Sequence, residues 1–349
     1  MSLKLRNFQH ASALQHGAKI YPEDLFDGGS MAVKTGGNHW FVDGDIAVSG
    51  DGLSPDGAFK TIAEAITAAQ AYDIIRIFPK QITDYTGDPS SYEENLTVPY
   101  TKAGLALIGE SRGLTQGGLP QLKDGSTTTQ HILRLRAPGC LVANLGFNGA
   151  GNTGGGILLD DDYSTKAGFG TTITGCHFKN CRGTTATNAA TGGAINWSST
   201  GNSWQVRIEG NRFYKNVGDV VLPGTSSTVP QDVVIKDNIF SGPAANTDCN
   251  LYLQGAGSGI NGVLIDGNIF QQLPALGSAT TARYIHATGC VGMMTRNFFG
   301  CATAEGGTEI TFEAAGTGAF IPTTVHMAGN FGQFSTGVGA GLVSGEIYA

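Results

Sequence analysis

The chain has 349 residues, of which 53 are glycine; it is 40% hydrophobic, only 14% charged, and carries a net charge of −7. Enough apolar side chain is present to exclude a disordered protein, and the acidic charge, spread without a basic cluster, argues against nucleic acid as a partner. No apolar run approaches the roughly 18 residues of a membrane span, and residues 1–10 lack the apolar centre of a signal peptide, so neither a membrane nor export is expected.

Residues 1–38 show no strong period and end in Gly36-Gly37. They are expected to form an extended anchoring arm, the alternative being a frayed terminus. Residues 39–114 make an entry segment. His39–Asp43 predicts a strand, and Gly50–Gly57 a cluster of turns. Thr61–Ala69 predicts an amphipathic helix opened by a capping box between Thr61 and Glu64. Its expected duty is to cover the open edge of a first coil, which would otherwise recruit foreign strands. Asp73–Phe78 and Ala106–Gly109 predict two further strands, separated by an excursion from Tyr85 to Glu94.

Residues 115–335 carry a recurring phrase. It reads Ile208-Glu-Gly-Asn211-Arg-Phe213, Ile235-Lys-Asp-Asn238-Ile-Phe240, Ile265-Asp-Gly-Asn268-Ile-Phe270 and Met294-Thr-Arg-Asn297-Phe-Phe299, and decays at Asn330. Ile173–Phe178 has Cys176 in place of asparagine, and Val142–Phe147, with Asn144 as its asparagine, is taken as an earlier copy with an extra residue. Successive spacings from Asn144 are 32, 35, 27, 30, 29 and 33 residues. A repeat of that length without helical periodicity predicts a stack of strand-and-turn coils, each leaning on its neighbours to bury its apolar face. The fold class is therefore all-β, a right-handed single-stranded parallel β-helix with a short N-terminal capping helix. Asn211, Asn238, Asn268, Asn297 and Asn330 are expected to form a structural ladder at one corner, tolerating a left-handed backbone and hydrogen-bonding from coil to coil. Residues 336–349 form a glycine-rich tail; with no second helix in the sequence, the far edge is left to that tail or to another protein.

Six cysteines, Cys140, Cys176, Cys181, Cys249, Cys290 and Cys301, lack paired ligand spacing and are expected to be reduced and mostly buried. Neither a metal nor a cofactor is expected.

The run Trp40-Phe-Val-Asp43, Ser49–Asp56 and Ala58–Ile62, followed by the helix, resembles the opening of right-handed parallel β-helix proteins of the pectate-lyase-like superfamily, particularly those of tailed bacteriophage particles. The resemblance covers residues 39–335. It implies a virion component, assembled in the host cytoplasm, commonly a homotrimer, that contacts a capsid or tail protein through residues 1–38. Short length favours a capsid decoration or head spike; the alternative is a tailspike or depolymerase that cleaves or binds host surface polysaccharide. Ala106–Glu110 and Glu94–Pro99 are also similar to early coils of pectin methylesterases, but that family's Gln-Asp-Thr-Leu phrase is missing and Val217–Pro223 echoes its aspartate phrase only in part.

No catalytic residue is expected. The fallback for an enzyme is Asp160-Asp161-Asp162, three carboxylates suited to a hard cation or to glycosidase chemistry, although a solvated turn is the simpler expectation. Glu209 and Asp266 fall two coils apart with Lys236 between them, which predicts a surface charge ladder rather than an acid pair. Trp197 and Trp204 are expected to serve core or loop packing, the alternative being a noncatalytic carbohydrate-binding module that uses them. By parity, Ile239, Ile269 and Phe298 point outward, and this stripe is the expected subunit interface around the axis of a parallel trimer, the alternative being cover by a long loop of the same chain such as Gly242 to Asn250.

Overall fold

A computed structural model describes residues 37–81, 90–110, 118–125, 130–149, 155–161, 167–182, 192–198, 203–223, 229–241, 249–255, 259–270, 283–299, 312–313, 319–320, 324–332 and 341–342. The chain divides after Gly36, and the described residues belong to the unit Gly37–Ala349. Of the expected arm, only Gly37 and Asn38 are therefore described; the amide of Asn38 donates to Asp73 Oδ1 at 2.7 Å.

The described strands wind into a right-handed parallel β-helix of three sheets, with ten, nine and ten strands. Sheet A starts with His39–Val42, Ile74–Ile77 and Ala106–Gly109 and later holds the strand before each asparagine corner, such as Gln231–Lys236. Sheet B holds the strand after that corner, such as Ile239–Ser241, and sheet C closes each coil with strands such as Leu133–Leu135, Ile157–Leu159 and Ile195–Trp197. Most strands are short because a corner follows within a few residues, and alternation sends one file of side chains inward.

Two inward files build most of the core beside the corner. Ile173, Ile208, Ile235, Ile265 and Met294 stand in register in sheet A. Phe147, Phe178, Phe213, Phe240, Phe270 and Phe299 do the same in sheet B, with adjacent ring centroids 4.8 to 5.1 Å apart and nearly parallel planes. The strand spacing itself imposes that stacking distance. All of these side chains are buried.

Helix α1 spans Ile62–Ala68 and begins with the expected capping box. Thr61 accepts from the Glu64 amide at 3.2 Å while Glu64 accepts from the Thr61 amide at 3.0 Å. Ile62, Ala65 and Ile66 face the core. Both ends are tied to the coils: Glu94 accepts from the amides of Ile62 and Ala63 at 3.0 and 2.9 Å, and Lys102 Nζ donates to the carbonyls of Thr67 and Ala69. These bonds satisfy groups that a helix end leaves unpaired.

Two expectations about the entry and the first copy need correction. The excursion ends before Glu94, because Ser91–Glu93 opens sheet B and Leu96–Val98 opens sheet C. Tyr92 is drawn inside by its hydroxyl, which donates to the Phe78 carbonyl at 2.8 Å and accepts from the Gly44 amide at 2.9 Å. The Val142–Phe147 copy has no extra residue: Val142 pairs with Ile173 and Phe147 with Phe178, so Leu145 stands beside Cys176 in the asparagine file and Asn144 beside Gly175. At the far end, Gly341–Leu342 from the glycine-rich tail adds an antiparallel strand to Phe331–Gly332.

Candidate interaction surface

Asn238, Asn268 and Asn297 make the same contacts. Asn238 Oδ1 accepts from the Asn211 amide at 2.9 Å and from Asn211 Nδ2 at 3.1 Å. Asn238 Nδ2 donates back to the Ile208 carbonyl at 2.9 Å and forward to Asn268 Oδ1 at 3.0 Å. The pattern continues through Asn268, Asn297 and Asn330, all buried. Cys176 takes part through its amide, which donates to Asn211 Oδ1 at 2.9 Å, and through its thiol, which donates back to the Val142 carbonyl at 3.7 Å. One side-chain amide thus satisfies polar groups in the coils on either side of its own, which is what a buried turn requires.

The left-handed residue of the corner is not the asparagine but the one before it. Positive φ occurs at Asn144 (56°), Gly175 (62°), Gly210 (65°), Asp237 (53°), Gly267 (65°), Arg296 (55°) and Gly329 (66°). Asparagine cannot fill both places, since its side chain must lie inside to accept from the neighbouring coil. The left-handed residue turns the chain, and the asparagine after it points inward.

That turn fixes what lies outside. On the sheet A side, Thr174, Glu209, Lys236, Asp266 and Thr295 align in register. The charge column is real, but its charged members do not pair with one another: Arg207 binds Glu209 at 2.6 Å within one strand, Lys236 reaches its neighbour Asp237 at 3.6 Å, and Asp266 pairs with Arg296 of the next coil. Asp266 is buried and accepts from Thr295 Oγ1 at 2.8 Å and Arg296 Nε at 2.9 Å. The Arg296 hydrogen bond holds its carboxyl below the usual carboxylate range. A carboxylate so occupied is not a proton donor near neutral pH.

On the sheet B side, Arg212, Ile239, Ile269, Phe298 and Phe331 align in register. Ile239 is half-buried, and Ile269, Phe298 and Phe331 are 40%, 37% and 47% exposed. A second outward file, absent from the sequence expectations, runs along sheet A as Val234, Leu264 and Met293, with Met293 at 49% exposure. Two apolar files therefore flank one polar file over the last coils.

The aspartate triplet is split. Asp160 is buried and accepts from Arg134 Nη2 and Arg136 Nε, each at 2.9 Å, so it is the hub of an ion-paired cluster and not a solvated turn. Asp161 forms an isolated bridge to Ala167, and Asp162 lies outside the described residues. Among the described residues no group of three or more His, Cys, Asp or Glu is placed to hold a metal ion. The tryptophans also part company: Trp197 is buried and donates to the Ser203 carbonyl at 2.8 Å, whereas Trp204 stands on the outer turn, 46% exposed. Cys140, Cys176, Cys181 and Cys290 are free and buried, and burial pushes each thiol up to about 12.

No protein-family model matches the chain, and no curated protein matches it. Among solved structures, the chain is similar to an alginate lyase from Paenibacillus sp. at 13% identity and a TM-score of 0.44, over 82% of this chain and 96% of that one.

Proposed function

We propose that the chain is a structural component of a tailed-phage particle, a capsid decoration protein that associates as a parallel homotrimer through the outer face of sheet B. The observation that carries this reading is the in-register file of Ile239, Ile269, Phe298 and Phe331, left in contact with water over four consecutive coils. A contiguous apolar file of this kind favours association, and a closed ring needs only one self-compatible contact. The placement on a phage particle rests on the resemblance of the entry segment, and residues 1–38 are assigned to contact with the capsid. Support for a structural role comes from the carboxylates: Asp160 is bound by Arg134 and Arg136, and Asp266 by Arg296.

Sedimentation of the full chain and of Ile269→Asp tests the reading. The expected result is three chain masses for the parent and one for a variant with unchanged circular dichroism. A folded variant sedimenting with the parent, or a parent of one chain mass, overturns the trimer. Release of reducing-end or unsaturated products from a capsular polysaccharide, lost in Asp160→Asn, overturns the structural role in favour of a depolymerase.

A further inference from the structure

The corner that follows sheet B carries a second amide network, and a carboxyl group sits inside it. The Cys181 amide donates to Asn216 Oδ1 at 2.9 Å, and Asn216 Nδ2 donates to the Phe178 carbonyl at 3.1 Å. The other N–H of that amide goes to Asp219 Oδ1 at 2.9 Å, and Asn250 Nδ2 of the following coil donates to Asp219 Oδ2 at 2.6 Å. The Asp219 main chain donates to the Asn250 carbonyl at 2.8 Å and accepts from the Ile195 amide at 2.9 Å. Cys181, Asn216, Asp219 and Asn250 are all buried. The side-chain partners of this carboxyl group are thus two neutral amides, which is poor compensation for an ion taken out of water.

The two amides differ in their freedom. Asn216 is locked, because Cys181 demands an acceptor on one side and Phe178 a donor on the other. Asn250 is engaged, among the described residues, through its bond to Asp219 alone. We propose that Asp219 is a proton-operated latch between coils: a proton from solvent settles on Oδ2, the Asn250 amide turns to accept it through Oδ1, and the adjoining coils hold together more firmly.

Burial pushes the Asp219 carboxyl up to about 7, against the opposing pull of the Asn250 and Asn216 bonds. Among the described residues, the titratable group that feels it is the Cys181 thiol, held at about 12 and therefore neutral. The native state keeps its proton up to about pH 7, whereas an unfolded aspartate releases it from 3.8. Between those values the native state binds more protons, so stability falls as pH rises through the window, by up to about tenfold in the unfolding constant per pH unit. Above about 7 this contribution is flat.

Urea unfolding of the full chain at pH 5 and pH 8 tests the latch in the parent, Asp219→Asn and Asn250→Leu. An asparagine at 219 reproduces the protonated acid, so Asp219→Asn is expected to shrink the pH 5 to pH 8 difference by about tenfold or more. Asn250→Leu removes the donor to Oδ2 and is expected to move the upper end of the window to higher pH. Retention of the parent's pH difference by folded Asp219→Asn overturns the proposal. If that variant does not fold, infrared spectroscopy of a Glu94→Gln background, chosen because burial also raises Glu94, reads the acid directly. A buried carboxyl band that vanishes near pH 7 supports the latch, and its absence at pH 6 overturns it.

Discussion

At the corner between sheets A and B, one residue per coil takes a left-handed backbone, and bulky and small residues share that duty by position. Asn144 is followed in the next coil by Gly175, Asp237 by Gly267, and Arg296 by Gly329. The reason is steric as well as torsional: a Cβ on Gly267 would sit 2.5 Å from Asp237 Oδ1, and one on Gly175 would meet Asn144 Oδ1. Asn144 and Asp237 lean across the glycine of the next coil, so a larger residue there would collide, whereas a Cβ on Gly329 would lie 3.9 Å from Arg296 Cγ, an ordinary contact. Gly267→Ala should therefore cost about 2 kcal/mol, part from the left-handed alanine and part from the contact. In a double-mutant cycle with Asp237→Gly, the contact part, about 0.5–1 kcal/mol, should be recovered; strict additivity in urea unfolding would assign the whole cost to the backbone. This device explains what the sequence conceals. The asparagine file is legible because one residue type recurs, whereas the left-handed file mixes Gly, Asn, Asp and Arg and shows no signature.

Among the elements, helix α1 shows how a short segment is held without length of its own. Seven residues are too few to be stable alone, and the helix depends on Glu94, which reaches from the first coil to its two leading amides. Glu94→Ala should cost about 2 kcal/mol through those charge-assisted bonds, and hydrogen exchange at Ile62, Ala63 and Ala65 should accelerate. Glu94→Gln, which keeps one acceptor, should lose about half as much. Unchanged protection in Glu94→Ala would assign the docking to Ile62 and Ile66 alone. The helix was readable from its capping box, and sheets A and B from the phrase that spans their shared corner. Sheet C was not, because loops of unequal length separate Leu133–Leu135, Ile157–Leu159, Ile195–Trp197 and Val220–Leu222 from that corner. Its strands keep their stacking order in space while losing their offset in sequence.

In the molecule as a whole, the two ends and the sides of the solenoid meet different demands. Helix α1 packs beside the first strands, and Gly341–Leu342 pairs with the last strand of sheet B. Pairing of this kind removes free edge, and the apolar outer files beside the corner remain. Parity alone revealed Ile239, Ile269 and Phe298. It missed Val234, Leu264 and Met293, since Val233-Val234-Ile235 and its equivalents are apolar on both faces and hide the alternation. If three copies pack in parallel around the sheet B file, residues of equal height face one another across the axis. Oxidative cross-linking of Ile269→Cys tests that geometry most directly, with Val48→Cys, between the first strand and helix α1 and 81% exposed, as the control. The expected result is rapid formation of a covalent dimer by Ile269→Cys while Val48→Cys stays single. Cross-linking of folded Ile269→Cys no faster than the control would contradict the assembly.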